Sequence, residues 1–315
     1  MRIYVARRIF GLIAILFVVV LLTFAANHLT PGDPIMMMLG DQSGDTAMEA
    51  RLRHDYGLDR PLLVQFLAYV RDLLHGDFGM SYRFVGTKVS DVIADGLRVS
   101  PILALAALAT AVPIGVAAGT FAARRRNTWK DSTTILALLL GISIPNFAMA
   151  AFLVYFLSVK LRVLPVAGWG TLPQAVLPVL IMAIYPAAYI ARLARTYMLE
   201  VLQQDYIRTA RAKGLAERVV IYRHALRNTL VPLLTTIGII FGALLSNTFI
   251  VETIFNIPGL GRLAIQSIFA RDYPVTLAIV LLFTLFYSLI NLVVDLLYGI
   301  VDPRIRLAGA GQRAK

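Results

Sequence analysis

The chain contains no cysteine, which excludes a disulfide framework, thiolate chemistry and cysteine-ligated metal sites. Charge is also scarce: Asp, Glu, Lys and Arg make up 15% of the residues, against 58% hydrophobic ones. That balance excludes a soluble domain and points to a membrane protein. The five lysines are Lys88, Lys130, Lys160, Lys213 and Lys315, and none follows a glycine and precedes Ser or Thr. A phosphate-cradling loop needs that arrangement, so the chain has no nucleotide-hydrolysing device of this kind. Its four histidines, His28, His54, His75 and His224, lack paired ligand spacing and offer no metal site. No serine–histidine–acid order stands out. The expectation is a protein that is not an enzyme and binds no cofactor of its own.

What the chain has in abundance is long apolar runs. Residues 9–29, 99–121, 133–159, 173–191, 230–250 and 274–300 are each long enough to cross a hydrocarbon core of roughly 20 residues. Each must be helical, because a lone strand would leave backbone groups unpaired in lipid. The first run follows Arg7 and Arg8 but continues to Ala26 with no small-residue cleavage site, and it reads as a retained span rather than a signal peptide. Pro145 and Pro186 fall inside the third and fourth runs and invite kinks.

Charge in alternate connections sets the orientation. Residues 1–8, 122–132, 192–229 and 302–315 hold 19 basic and five acidic residues, whereas 30–98, 160–172 and 251–273 hold 11 basic and twelve acidic ones. The first set, with both termini, is therefore expected in the cytoplasm. The net charge of +12 is explained by this distribution, so nucleic acid is not an expected partner. The chain divides into residues 1–98, a first span with a long outer loop; 99–301, a five-helix core with an inner loop at 192–229; and a tail at 302–315.

The outer loop holds two amphipathic stretches, Ala47 to Tyr56 before Gly57 and Pro61 to His75 before Gly76. The second places Leu62, Leu63, Phe66, Leu67, Val70, Leu73 and Leu74 on one face, which needs burial over the span ends, in the membrane surface or against a partner. A further outer loop, between Glu252 and Asp272, is expected to cap or gate the bundle through turns at Pro258, Gly259 and Gly261.

Between the fourth and fifth runs lies D-Y-I-R-T-A-R-A-K-G at 205–214, a basic segment that no spanning helix requires. Asp205 is expected to cap a short helix, Lys213 to sit in its last turn and Gly214 to end it. So short a helix needs something to pack against, either a partner or anionic lipid. Within the spans, Ser143, Asn146, Ser246, Asn247, Thr248 and Asn291 either line an aqueous path or bond between helices. Asp295, read as the only carboxylate at membrane depth, is either a pathway or proton-relay residue or a group near the inner end that snorkels inward or pairs with an arginine such as Arg304.

The chain resembles the permease subunits of bacterial ATP-binding-cassette importers, in the branch serving dipeptides, oligopeptides, glutathione and nickel. The resemblance runs from residue 1 to about 307. It rests on L-T-P-G-D-P at 29–34, Y-G-L-D-R-P-L at 56–62, G-D-F-G-M-S at 76–81, the segment 205–215 with H-A-L-R-N at 224–228 and Pro232, V-E-T-I-F-N-I-P-G-L-G-R-L at 251–263, R-D-Y-P at 271–274 and N-L-V-V-D-L-L-Y at 291–298.

The resemblance implies an all-α polytopic membrane protein with six transmembrane helices, the type I importer permease fold, in a bacterial or archaeal inner membrane. It implies that Asp205, Tyr206, Ile207, Arg208, Thr209, Ala210, Arg211, Ala212, Lys213, Gly214 and Leu215 form a coupling helix docked in an ATPase subunit. Here Arg208, Thr209 and Ala210 stand where the wider superfamily has Glu-Ala-Ala, and Pro232 lies further beyond the glycine, as is usual for this branch. Implied partners are a second, similar permease in a heterodimer, two ATPase subunits that carry ATP and Mg, an extracytoplasmic substrate-binding protein and membrane lipid. The substrate expected is a di- or oligopeptide, with glutathione or nickel as alternatives. Asn146, Asn247, Glu252, Asn291 and Asp295 are candidates for the path or its gate. An ion-coupled secondary transporter is the rival class; it should show midplane acids or broken-helix pairs related by an internal repeat.

Overall fold

The computed structural model describes residues 2–29, 32–39 and 46–301, and among these the chain is built almost wholly from helices. The helices are α1 (Arg2–Leu29), α2 (Pro34–Leu39), α3 (Thr46–Asp55), α4 (Leu62–Leu74), α5 (Val89–Arg124), α6 (Trp129–Ser143), α7 (Asn146–Leu153), α8 (Leu172–Leu202), α9 (Asp205–Ala212), α10 (Glu217–Val219), α11 (Leu226–Ile254), α12 (Leu260–Phe269) and α13 (Tyr273–Val301). Five of the described helices are long and apolar enough to cross a membrane, and a bent pair, α6 with α7 and its continuation to Lys160, makes a sixth if counted as one span. The chain forms two compact units: Met1–Pro101 with Ile257–Ser288, and Ile102–Asn256 with Leu289–Lys315.

The first unit is organised around Val89 and Ile93 of α5, Leu260 of α12 and Val275, Ala278, Ile279 and Leu282 of α13, all buried. Gly96 lets α12 come close: a Cβ there would lie 2.8 Å from the Leu260 nitrogen. That nitrogen donates to Ser100 Oγ at 2.8 Å, so one turn of α5 seats the start of α12. The segment Gly79–Val89 folds back on itself through a single antiparallel bridge, Met80 with Lys88. It presents Ser81 Oγ and the backbone N–H groups of Tyr82 and Arg83 to the buried carboxylate of Asp272, the two amides at 3.1 and 3.2 Å. A buried carboxylate must be satisfied in this way, because an unpaired one would be strongly disfavoured.

Both amphipathic stretches of the long loop are helices, ended by Gly57 and Gly76 at φ +64° and +78°, a left-handed conformation that glycine adopts without strain. Phe66 of α4 packs edge-on against Phe17 and Phe24 of α1, with centroids 6.1 and 5.3 Å away. Leu62, Leu63, Leu67 and Leu74 stay exposed. The loop expected between Glu252 and Asp272 is largely helical: Glu252 is fully buried in α11, Gly259 caps α12 and Gly261 lies inside it. Asp272, in the turn before α13, ends that segment.

In the second unit α8 is the hub, packed by α6, α7 and α11. Gly115 and Gly119, one turn apart on α5, make room for it. A Cβ at Gly115 would lie 2.7 Å from the Ala187 carbonyl, and one at Gly119 would collide with the Ala191 carbonyl. Small residues four apart are how helices approach closely in a membrane. The third span is not one helix as its apolar run suggests: α6 and α7 are bent by 100° at Ile144–Pro145. Proline drives its predecessor into extended backbone, and Ile144 sits at φ −90°, ψ 121°. α7 then passes into a π-helical stretch, Val154–Lys160. Pro178 and Pro186, by contrast, lie buried inside an unbroken α8, where neighbouring helices hold the backbone together. Arg195 of α8 grips Asp131 of α6 with both Nε and Nη2, at 2.8 and 2.7 Å, so Asp131 is a second buried acid in this bundle that the sequence reading passed over.

Candidate coupling site

The segment between α8 and α11 is a built structure rather than a loose loop. α8 stops at Leu202, and Gln204 turns to extended backbone at φ −71°, ψ 149°. Its carbonyl accepts the amides of Ile207 at 3.0 Å and Arg208 at 3.3 Å. Gln204 is therefore the cap, and Asp205, expected there, is the first helical residue with no side-chain cap bond. Its carboxylate still stands in the first turn, where it favours the positive end of the helix dipole.

The far end is a Schellman turn. The Gly214 amide donates to the Arg211 carbonyl at 2.9 Å and the Leu215 amide to the Ala210 carbonyl at 3.3 Å. Gly214 lies at φ +76°, as expected, and a Cβ there would meet nothing within 4 Å. Lys213 is the C-cap and Arg211 occupies the last turn, a shift of one register position from expectation.

Only Ile207 and Ala210 of α9 are buried, one turn apart. They join Ala123 of α5, Met198 of α8, and Val220 and Ala225 in one apolar cluster. Every other residue from Gln203 to Val219 is exposed. Two contacts fix the angle of the helix on its base. Asn228 Nδ2 donates to Tyr206 Oη at 2.9 Å. Arg211 donates through Nε and Nη2 to Glu217, at 3.2 and 2.8 Å, closing the loop across six residues. The bonds from Arg211 hold the Glu217 carboxyl below the usual carboxylate range, and Glu217 raises Arg211 in turn. Arg208 and Asp205 are more loosely paired, at 3.5 Å and largely exposed. Asn228 is the last residue of the H-A-L-R-N motif, whereas Glu217 belongs to no motif in the sequence; the left-handed Gly214, which reverses the chain and brings Glu217 back beside Arg211, is its available signal.

The other candidates lie apart from this surface, on three helices. Asn146 opens α7, and Asn247 is exposed on α11 with Nδ2 donating to the Ala243 carbonyl at 2.8 Å. Asn291 of α13 packs beside Gly238 of α11, where a Cβ would sit 3.1 Å from its Oδ1. The side chain of Asp295 lies outside the described residues, as does Arg304.

The geometry has relatives. Residues 115–307 match the family described as binding-protein-dependent transport system inner membrane component, and residues 1–94 match the N-terminal family of such membrane components. The glutathione transport system permease protein GsiC of Escherichia coli (strain K12) is 42% identical over 304 residues, covering 96% of this chain and 98% of that protein. The "Putative peptide transport system permease protein BAB2_1050" of Brucella abortus (strain 2308) is 41% identical over 310 residues, covering 96% and 98%. Among solved structures, an inward-facing MetNI methionine ABC transporter chain superposes with a TM-score of 0.58 at 19% identity, covering 67% of this chain and 96% of that one, a likeness of fold. The chain thus belongs to the binding-protein-dependent transport system inner membrane component family: it is the multi-pass inner-membrane permease subunit of an ABC importer, in which separate subunits hydrolyse ATP.

Proposed function

We propose that this permease imports small peptides, a class that includes both short oligopeptides and glutathione, and that α9 is the element through which ATPase subunits drive it. The observation that carries the coupling role is the division of α9 into a two-residue buried foot and an otherwise exposed basic surface. A helix so anchored moves with α5, α8 and the start of α11, and anything gripping its outer face moves them too. The names borne by relatives at 42% and 41% identity support the substrate class and favour neither peptide nor glutathione.

The complex proposed is this chain with a second, similar permease, two ATPase subunits and an extracytoplasmic binding protein, with α9 and both termini in the cytoplasm. ATP binding would draw the ATPases together, pull both coupling helices and switch the paired bundles toward the binding protein. Only a difference in contact between the two states transmits that work. Asn146, exposed Asn247 and Asn291 are the better candidates for the path, because Glu252 is sealed inside its unit.

The test is uptake of labelled dipeptide and glutathione by the whole complex in liposomes, with its binding protein and ATP. Arg208→Glu should leave assembly intact while lowering uptake per ATP hydrolysed. Unchanged coupling in that variant would discard the role of α9. Accumulation of nickel but neither peptide nor glutathione would overturn the substrate class.

A further inference from the structure

A cleft of about 330 Å³ opens beside the coupling helix, between the ends of α5 and α8. Arg124, Arg125, Arg126 and Arg211 line it, and its single carboxylate, Glu217, is already held by Arg211. Among the described residues, none of Arg124, Arg125 and Arg126 has a carboxylate within ion-pair distance. The backbone of this turn is fixed. The amides of Arg125 and Arg126 bond to Ala122 and Ala123, and Asn127 at φ +61° turns the chain into α6. The three consecutive guanidiniums give this rim an excess of positive charge over the nearby carboxylates, Glu217 beside Arg124 and Asp131 beside Arg126. Guanidinium forks match phosphate oxygens in pairs.

The surroundings select the source of that phosphate. Leu199, Leu202 and Ile221 give the cleft an apolar side. On the same stretch Phe121 and Trp129 are exposed, with Arg125 and Lys130 over their rings at 5.6 and 5.5 Å. Exposed aromatics capped by cations at the end of a span mark the level of lipid headgroups. Basic pockets between spanning helices on the cytoplasmic side suit anionic headgroups.

We infer that this cleft binds the phosphate of an anionic phospholipid of the inner leaflet, with Arg124, Arg125 and Arg126 as its ligands and Arg211 at its rim. Because the Arg211–Glu217 fork is both a wall of the cleft and the brace of α9, a bound headgroup stiffens the base on which α9 moves. The inference uses the inward orientation of α9 but not the identity of the transported substrate.

The test is native mass spectrometry of the assembled complex, extracted from membranes of mixed phosphatidylethanolamine and phosphatidylglycerol. Wild type should retain phosphatidylglycerol. Arg124→Gln/Arg125→Gln/Arg126→Gln should lower its retention by about a hundredfold. The matching triple lysine variant preserves the charge that orients the chain but not the paired fork, and should retain more lipid than the glutamine triple and less than wild type. Arg218→Gln/Arg223→Gln, in the 192–229 connection and outside the lining of the cleft, should behave as wild type. Equal retention in the glutamine triple, or equal loss in the Arg218/Arg223 control, would overturn the site. Displacement of the retained lipid by phosphatidylethanolamine alone, or binding of inorganic phosphate with no lipid retained, would overturn the lipid assignment. Transport of a different substrate leaves all these readouts unchanged.

Discussion

Gly214 concentrates what a single residue does here. Space is not the constraint, since a side chain there would meet nothing, but φ +76° is a conformation that L residues resist. Gly214→Ala should therefore weaken the α9 turn by about 1 kcal/mol, and Gly214→Asn by less, because Asn tolerates the left-handed region. ATP-driven uptake should follow the same order, Gly above Asn above Ala. The Arg211–Glu217 fork gives a second residue-level prediction. Both side chains are more than a third exposed, so solvent screens the pair to about 0.5 kcal/mol. Glu217 is held below its unfolded range, so this contribution is complete above that range and fades as pH falls through the folded value. The thermal stability gap between wild type and Glu217→Gln should be present at neutral pH and close on acidification. Gly214 was legible in the sequence because a glycine after a short basic amphipathic segment has few other uses. Glu217 was not, since a partner six residues on across a left-handed turn lies outside helical spacing. The capping role of Asp205 was misread by one position, because Gln204 bends out of the helix before it.

Hydrophobicity located five long apolar helices, but not the shape of the third run. The run 133–159 reads as one span, and only Pro145 signals that α6 and α7 diverge by 100°. Pro186 gives the same signal inside α8 and is overridden, because α8 is packed by α6, α7 and α11 where the broken pair has fewer neighbours. Proline therefore marks a weak point and packing decides whether it yields. The ion pair between α6 and α8 was invisible for a related reason: Asp131 and Arg195 stand 64 residues apart, and each looks like an ordinary charge at a span end. Asp131→Ala would leave a half-buried guanidinium unpaired and should destabilise the unit by about 3 kcal/mol. Adding Arg195→Ala should recover part of that loss, as read from thermal unfolding of the purified complex. The glycine pair of α5 predicts a steric counterpart. Gly119→Val drives a branched side chain into the Ala191 carbonyl and should cost about 2 kcal/mol, with no change of charge.

For the whole chain, the absence of cysteine is an experimental asset. With no native cysteine, any introduced thiol reports from one place only. The charge imbalance between alternate connections predicts the 192–229 segment in the cytoplasm and the 30–98 loop outside, an orientation that the helices alone do not decide. Lys213, exposed at the end of α9, and Arg71, exposed on α4, are suitable positions because neither side chain is buried in its unit. A membrane-impermeant maleimide applied to spheroplasts should label Arg71→Cys at once and Lys213→Cys only after the membrane is opened. Labelling of Lys213→Cys from outside would place the braced helix away from any cytoplasmic ATPase, and an exposed basic surface on a two-residue foot would then need another explanation. Arg71→Cys shielded from outside would instead mean that the open leucine face of α4 lies against a partner or lipid at that depth, and labelling with and without the binding protein would separate the two.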